Sequence, residues 1–258
     1  MTIASGNAVT NIIPNAIAFD DEGRRGRLGV IVPSVNTVVE PWFTRTAPAG
    51  LSVHAARMFL ADKLTAEGVI EMDRTEGMQA VRQIASCRPV AVAYCCTASS
   101  IIQGREYDEF LRHEITRACG VPATTATHAI LSALSALGAR RICVGSPYTD
   151  AVDALEHAFF EDAGYEILGT ANLDIGDSFK LAEPDAETLT ALGRRAWRPG
   201  ADALVLTCLN TRSHRVVEAL EAEIGKPVVT STQATFWHLL RLAGVADPIS
   251  GYGQLLRR

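Results

Sequence analysis

Two cysteines carry the most chemical potential in this sequence. Cys96 lies in Ala-Tyr-Cys-Cys-Thr-Ala-Ser-Ser and Cys208 in Leu-Thr-Cys-Leu-Asn-Thr. Each directly follows a short apolar run that reads as a buried strand. Their separation of 112 residues recurs between Asn36 and Tyr148, which close the first strand of what reads as each half of an internal repeat. A thiol titrates within about a unit or two of neutrality, so it can serve as nucleophile, base or acid. At the end of a strand and the start of a helix, free backbone N–H groups and the helix dipole should lower the cost of its thiolate. Equal spacing in a repeat therefore predicts one site with a thiol on each side.

The other reactive residue types form no comparable pattern. Cys87, Cys119 and Cys143 read as small core residues. Cys95 precedes Cys96 and so points to the opposite face of its strand. No Gly-x-Gly-x-x-Gly, phosphate loop or Gly-x-Ser-x-Gly elbow is present, so neither a nucleotide cofactor nor a serine nucleophile is supported. The six histidines are scattered, and no Cys-x-x-Cys occurs, which argues against a zinc site. His128 and Gln233 read as helix-start residues at related places in the two halves.

Composition narrows the classes further. A chain of 258 residues with 48% hydrophobic content can bury a substantial core. A net charge of −5 argues against nucleic acid as partner. Apolar runs fall far short of the ~18 residues of a membrane span. Residues 1–27 lack the features of an export signal and read as a flexible N-terminal arm, with Arg24, Arg25 and Arg27 as a solvated lead-in. Reduced thiols in the cytoplasm are then the expectation.

Strand and helix patterns alternate along the rest of the chain. Apolar runs at 28–32, 51–58, 90–94 and 123–127 read as strands, with helices at 65–86, 106–118 and 129–137. The second half repeats the plan. Strands are expected at 141–145, 165–173, 203–206 and up to 230. Helices are expected after Asp150 as N-cap, at 185–197, after Ser213 as cap, and at 234–243. Alternation of this kind implies parallel sheets covered by helices. The boundaries are 28–138 for the first half and 139–258 for the second, with part of the C-terminal helix free to return to the first. Ligands of such sheets bind beyond the carboxyl ends of the strands. The segments there are rich in Ser, Thr, Asn, Cys and Tyr, whereas the strands are apolar. They include Ser34 and Asn36, Cys96, Tyr148, and Cys208 with Asn210.

With these motifs the chain resembles the aspartate/glutamate racemase superfamily, in its maleate cis-trans isomerase and arylmalonate decarboxylase branch. The resemblance rests on Val-Pro-Ser-Val-Asn-Thr, Tyr-Cys-Cys-Thr-Ala-Ser, Gly-Ala-Arg-Arg-Ile-Cys-Val-Gly-Ser-Pro-Tyr and Ala-Asp-Ala-Leu-Val-Leu-Thr-Cys-Leu-Asn-Thr-Arg. It implies two pseudo-symmetric α/β halves, each a parallel sheet flanked by helices, with the active site in the cleft between them. It also implies a homo-oligomer acting on a small carboxylate without metal or organic cofactor. By resemblance to the maleate isomerases, Cys96 is the nucleophile that adds to an alkene and Cys208 the acid/base partner. Asn36 and Tyr148 match positions that hold substrate carboxylates. Backbone N–H groups of Thr97 and Ala98, and of Leu209 and Asn210, are expected to assist. Ser178 stands where the resemblance leads one to expect Asn. A two-cysteine racemase or epimerase of an amino acid or its N-acyl derivative is the first alternative. A decarboxylase of the arylmalonate type fits less well, because that branch is expected to keep only the second-half cysteine. A non-catalytic binding protein is the remaining alternative.

Overall fold

The computed structural model describes residues 23–258. Most of the expected arm, residues 1–22, lies outside the described residues. At the end of that arm Arg24, Arg25 and Arg27 are exposed, as expected of a solvated lead-in, and two of them also contact the fold. Strand β1 (Gly26–Pro33) begins two residues before Leu28. Arg25 pairs with Asp247 at 2.7 Å, and the Arg27 guanidinium donates to the Cys87 and Arg88 carbonyls.

The first half continues with α1 (Val39–Thr46), β2 (Leu51–Met58), α2 (Ala66–Met72), a π-helical turn (Asp73–Gly77) and α3 (Met78–Ser86). Then come β3 (Ala91–Tyr94), α4 (Thr97–Gln103), α5 (Arg105–Cys119), β4 (Ala123–Thr125) and α6 (Ala126–Leu137). The second half runs β5 (Arg141–Ser146), α7 (Asp150–Asp162), β6 (Glu166–Asn172), α8 (Ala186–Ala196), β7 (Ala203–Leu206), α9 (Val217–Ile224), β8 (Val228–Thr230) and α10 (Ser231–Leu242).

Each half holds a parallel four-stranded sheet, in the orders β2-β1-β3-β4 and β6-β5-β7-β8. The shared order makes the halves pseudo-symmetric. Parallel neighbours need helical crossovers, which cover both faces. The central strands are accordingly buried and apolar, as Leu28, Val30, Ile31 and Val32 show. In each sheet the chain turns opposite ways after the two middle strands, and a crevice opens at their carboxyl ends. Asn36 and Cys96 follow the middle strands of one sheet, Tyr148 and Cys208 those of the other.

The halves share one core. Leu28, Val30 and Ala93 of the first sheet belong to the same apolar cluster as Ile142, Val144 and Val205 of the second. Helices α6 and α10 pack on each other at the centre, and α10 also lies against β3 and β4. The two helices start alike. Thr125 caps α6 by accepting from the His128 amide, and Thr230 caps α10 in a reciprocal capping box with Gln233. His128 and Gln233 thus occupy the same third position of matched helices.

Several boundaries differ from the sequence pattern. The stretch 65–86 is two helices joined by the π turn, since the turn rotates the apolar stripe and a single period cannot show it. Helix α1 was not foreseen. The strand at 123–127 stops at Thr125, where the threonine side chain ends it by capping α6. Thr149 rather than Asp150 holds the N-cap position of α7. Ser213 opens a 3₁₀ turn (Ser213–Arg215), and α9 begins only at Val217. Among the described residues no helix is long and apolar enough to cross a membrane.

Candidate functional site

Both thiols reach one cavity between the halves. From the first half, Pro33 at the end of β1 lines it with Val35 and Asn36 beyond, Leu60 and Leu64 after β2, and Cys95, Cys96, Thr97 and Ala98 after β3. From the second, Tyr148, Leu181, Cys208, Leu209 and Asn210 complete the wall. The cavity is small, about 40 Å³. That volume suits a few waters rather than a dicarboxylate, so its walls must part to admit a substrate. Wider clefts lie elsewhere, among them one along Asp174–Thr188, one between α5 and α6, and one where α5 and β4 meet His128 and His238, and none of the three is lined by a thiol.

Asn36 is oriented by the helix it starts. Its Oδ1 accepts from the amides of Val38, at the N-cap position of α1, and Val39, its first residue, both at 2.9 Å, and so satisfies two free N–H groups where the helix begins. Two N–H donors require the oxygen at that end, which turns the Nδ2 donor the other way. Cys96 sits at the N-cap of α4 in extended conformation. The amide and hydroxyl of Ser99 favour its charged form. Tyr148 is buried, and its hydroxyl favours the charged form of Cys208. The Asn210 amide points at the same sulfur from 3.4 Å.

The backbone at Cys208 is left-handed, with φ +74°. A non-glycine residue there costs on the order of 1–3 kcal/mol unless its surroundings hold it. They do: the Thr207 amide bonds the Gly145 carbonyl, and the Thr211 amide and hydroxyl both donate to the Cys208 carbonyl. The strained turn aims Sγ back into the cleft.

Electrostatics at the thiols correct one expectation. Burial in this cavity pushes the Cys96 thiol up to about 12 and the Cys208 thiol up to about 11. Desolvation outweighs the nearby N–H groups, because the two sulfurs share a site that has no cation among its lining residues. The helix-dipole argument also applies only to Cys96. Cys208 is followed by a turn and the 3₁₀ segment before α9 starts.

Eight of the ten expected residues line the cavity, and two hydroxyls do not. Ser34 Oγ accepts from the Leu60 amide. Ser178 is fully buried, and its hydroxyl faces the carbonyls of Ala61 and Asp62. The Ser178 amide also donates to the Asp62 carbonyl and the Leu64 amide to that of Gly176, so the loops of the two halves are zipped together beside the cavity. The neighbouring Asp177 carboxylate accepts from the amides of Phe179 and Lys180. The Asn210 side chain is used structurally as well. It accepts from the Thr37 amide and donates to the carbonyls of Val35 and Ser178. Only its backbone amide is offered at Cys208.

Two carboxyl groups near the thiols escaped the sequence reading. Asp73, in the π turn, lies behind Cys96, and its charge raises the thiol. Glu156 on α7 is fully buried and accepts from Thr207 Oγ1 at 3.1 Å, directly before Cys208. Desolvation, then the neighbouring Asp153, holds it well above the usual carboxylate range. The signal was available. Asp73 follows Val69 by four residues and Glu156 follows Val152 by four, so each acid stands in an apolar helix stripe. Among the described residues, no three His, Cys, Asp or Glu side chains are grouped to hold a metal ion.

Comparison with known proteins agrees with this geometry. The family model of arylmalonate decarboxylase matches residues 28–256. Arylmalonate decarboxylase of Bordetella bronchiseptica is 29% identical over 234 residues, 86% of this chain and 96% of that protein. Maleate isomerase of Pseudomonas putida is 27% identical over 243 residues, 89% of this chain and 96% of that protein. Among solved structures, a cysteine-to-serine variant of Nocardia farcinica maleate cis-trans isomerase with a covalently bound succinylcysteine intermediate superposes with a TM-score of 0.84. It is 26% identical, and the match covers 90% of this chain and 98% of that one.

Proposed function

This chain belongs to the arylmalonate decarboxylase family, in the branch of the Asp/Glu racemase-like superfamily that also holds maleate isomerases, and on that premise we propose that it is a cofactor-independent cis-trans isomerase of the maleate type. The observation that carries the reading is the pair of thiols, Cys96 and Cys208, contributed by opposite halves to one cavity. A one-thiol proton transfer needs only the second. The succinylcysteine seen in the Nocardia relative supports covalent chemistry at such a site.

The mechanism follows from what each group can do. The Cys96 thiolate adds to one alkene carbon, and the π electrons move to its neighbour. The charge that develops on the adjacent carboxylate needs fixed donors in a dry site. Asn36 Nδ2, the backbone amides after each cysteine and the Tyr148 hydroxyl supply them. Cys208 gives its proton to the neighbouring carbon, leaving a single C–C bond free to rotate. After rotation the Cys208 thiolate retakes that proton, the C–S bond breaks, and the trans alkene leaves. Covalent catalysis thus splits one high barrier into lower ones.

The decarboxylase reading has its own observation. Val35, Leu60, Leu64 and Leu181 form an apolar wall of the cavity, and the decarboxylase relative is as similar in sequence as the isomerase. One set of NMR tubes separates the readings. Fumarate growing from maleate supports the isomerase. Loss of a carboxyl group from an aryl- or alkylmalonate, with maleate untouched, replaces it with the decarboxylase. Deuterium entering the α-carbon of an amino acid or its N-acyl derivative, without alkene chemistry, replaces it with a racemase.

A further inference from the structure

The cleft where α5 and β4 meet α6 and α10 carries a charge pattern that the thiol chemistry does not use. Its volume is about 430 Å³. Arg112 of α5, His128 of α6 and His238 of α10 share its wall, with Val121, Pro122 and Leu242 as apolar neighbours, and none of its lining residues is acidic. Arg112 is the unusual member. It is half-buried, and its Nε is enclosed without a hydrogen-bond partner. Among the described residues its guanidinium makes no hydrogen bond and no ion pair. A guanidinium holds five N–H donors and a permanent charge, and an enclosed donor left unsatisfied is costly in a folded protein.

The two imidazoles are placed to add donors to the same cleft. Their ring centroids lie 5.3 Å apart. Thr124 Oγ1 donates to the Thr125 carbonyl at 3.0 Å and stands 2.9 Å from His238 Nδ1. With its one proton so used, Oγ1 accepts from Nδ1–H, which leaves Nε2 as the nitrogen that titrates. Burial first, then neighbouring positive charge, holds both rings below the ordinary histidine value, with His238 lowered to about 4. At pH 7 the cleft therefore offers one cation and two neutral rings that an incoming negative charge would help to protonate. The opposing charges lie to the side. Asp108 and Glu109 of α5 act on His128 from the cleft between α5 and α6, and Asp108 is held there by the Ser100 and Thr127 hydroxyls. On α10, Arg241 lies over the Trp237 ring and donates to the Val245 carbonyl.

We propose that this cleft binds a small oxyanion, a carboxylate or a phosphate, on Arg112 with His128 and His238, and takes up a proton as it does so. The planar fork of a guanidinium matches the paired oxygens that both anions present. The proton comes from solvent and goes to an imidazole nitrogen, and no other bond forms or breaks. Val121, Pro122 and Leu242 favour an anion with an apolar body, so an alkyl carboxylate binds more tightly than an inorganic anion. The cleft shares no lining residue with the thiol cavity, and the proposal is independent of the reaction the thiols perform.

The test is titration calorimetry of the full chain with sodium butyrate and with sodium sulfate, a stand-in for phosphate that does not itself titrate between pH 6 and pH 8. Paired buffers of different ionisation enthalpy count the protons taken up. At pH 6 at least one anion binds with a Kd on the order of millimolar and with net proton uptake. At pH 8 binding is at least tenfold weaker, because the proton must then be taken from a more alkaline solution. Arg112→Gln weakens binding at least tenfold at pH 6. His128→Asn/His238→Asn, which keeps a side-chain donor for Thr124 but cannot titrate, abolishes the proton uptake and flattens the pH dependence. Tighter butyrate identifies the natural ligand as a carboxylate, and tighter sulfate as a phosphate. Heat from neither anion up to about 50 mM overturns the proposal. So does binding that survives Arg112→Gln unchanged, binding without proton uptake, or uptake that persists in the histidine double variant. If Arg112→Gln does not fold, the proton count in the wild type and in that double variant decides.

Discussion

In the proposed mechanism Asn36 performs two tasks with opposite ends of one amide, and substitution can separate them. Its Oδ1 caps α1 through the amides of Val38 and Val39, while Nδ2 is the donor left for a substrate carboxylate. Asn36→Ala removes both. Loss of the cap costs about 1 kcal/mol, which for a domain of this size lowers Tm by roughly 2–4 °C. Loss of a hydrogen bond to a charged group costs about 1.5–3 kcal/mol, or roughly ten- to a hundredfold in kcat/KM on maleate. Asn36→Asp behaves differently. A carboxylate caps as well as an amide does, and the helix N-terminus favours its charge by ~0.3–1 kcal/mol, so Tm stays within a degree or two of wild type. The donor, however, becomes an acceptor that repels the substrate, and kcat/KM falls by more than about a hundredfold. Thermal melts and fumarate formation followed by NMR measure the two effects on the same samples. An Asn36→Asp enzyme that retains its activity within threefold refutes the assignment of Nδ2 as carboxylate donor. An Asn36→Ala protein that melts like the wild type refutes the cap.

The thiols should control alkaline stability. Their folded values of about 12 and about 11 lie above the ordinary 9.0, so the stability they contribute is complete below pH 9 and is lost as pH rises through 11 and 12. Each contributes about 1.4 kcal/mol per pH unit in that window, and a Cys96→Ala/Cys208→Ala protein should show a correspondingly shallower loss in denaturant melts. Glu156 is raised for the same reason and with the same sign. Its contribution is full below pH 4.5 and fades as pH climbs toward its elevated folded value, so Glu156→Gln should flatten the fall of Tm as pH rises above 4.5, and an unchanged slope would refute the upward shift. In the covalent mechanism, Cys208→Ser incubated with maleate should accumulate a substrate adduct on Cys96, and a mass-spectrometric adduct on no residue would remove the covalent step.

Much of the architecture could be read from the residues because the relevant physics is local. A parallel strand buried on both faces is an unbroken apolar run, as in 28–32 and 203–206, and the polar segments after such runs stand out by contrast. The spacing of 112 residues between paired positions exposed the repeat, and with it the pairing of Cys96 with Cys208. Element boundaries were less legible where a side chain overrides the periodic pattern. Thr125 ends its strand by capping α6, and the π turn at Asp73–Gly77 splits what the 3.6-residue period presents as one helix.

What the chain alone determined is therefore which residues gather at the strand ends, since alternation and polarity are properties of neighbours in sequence. What only the tertiary structure decided is what those residues are free to do. Ser178 looked like a substrate donor, but its hydroxyl is committed to carbonyls more than a hundred residues away. Asp73 is one of several charges between residues 65 and 86 in the sequence, yet it is buried and accepts from Ser99, three residues after Cys96. The thiols looked activated by their strand ends, but the closed cleft raises both. Solvation and hydrogen-bond partnership depend on every group that surrounds an atom, and most of those groups are distant in the chain.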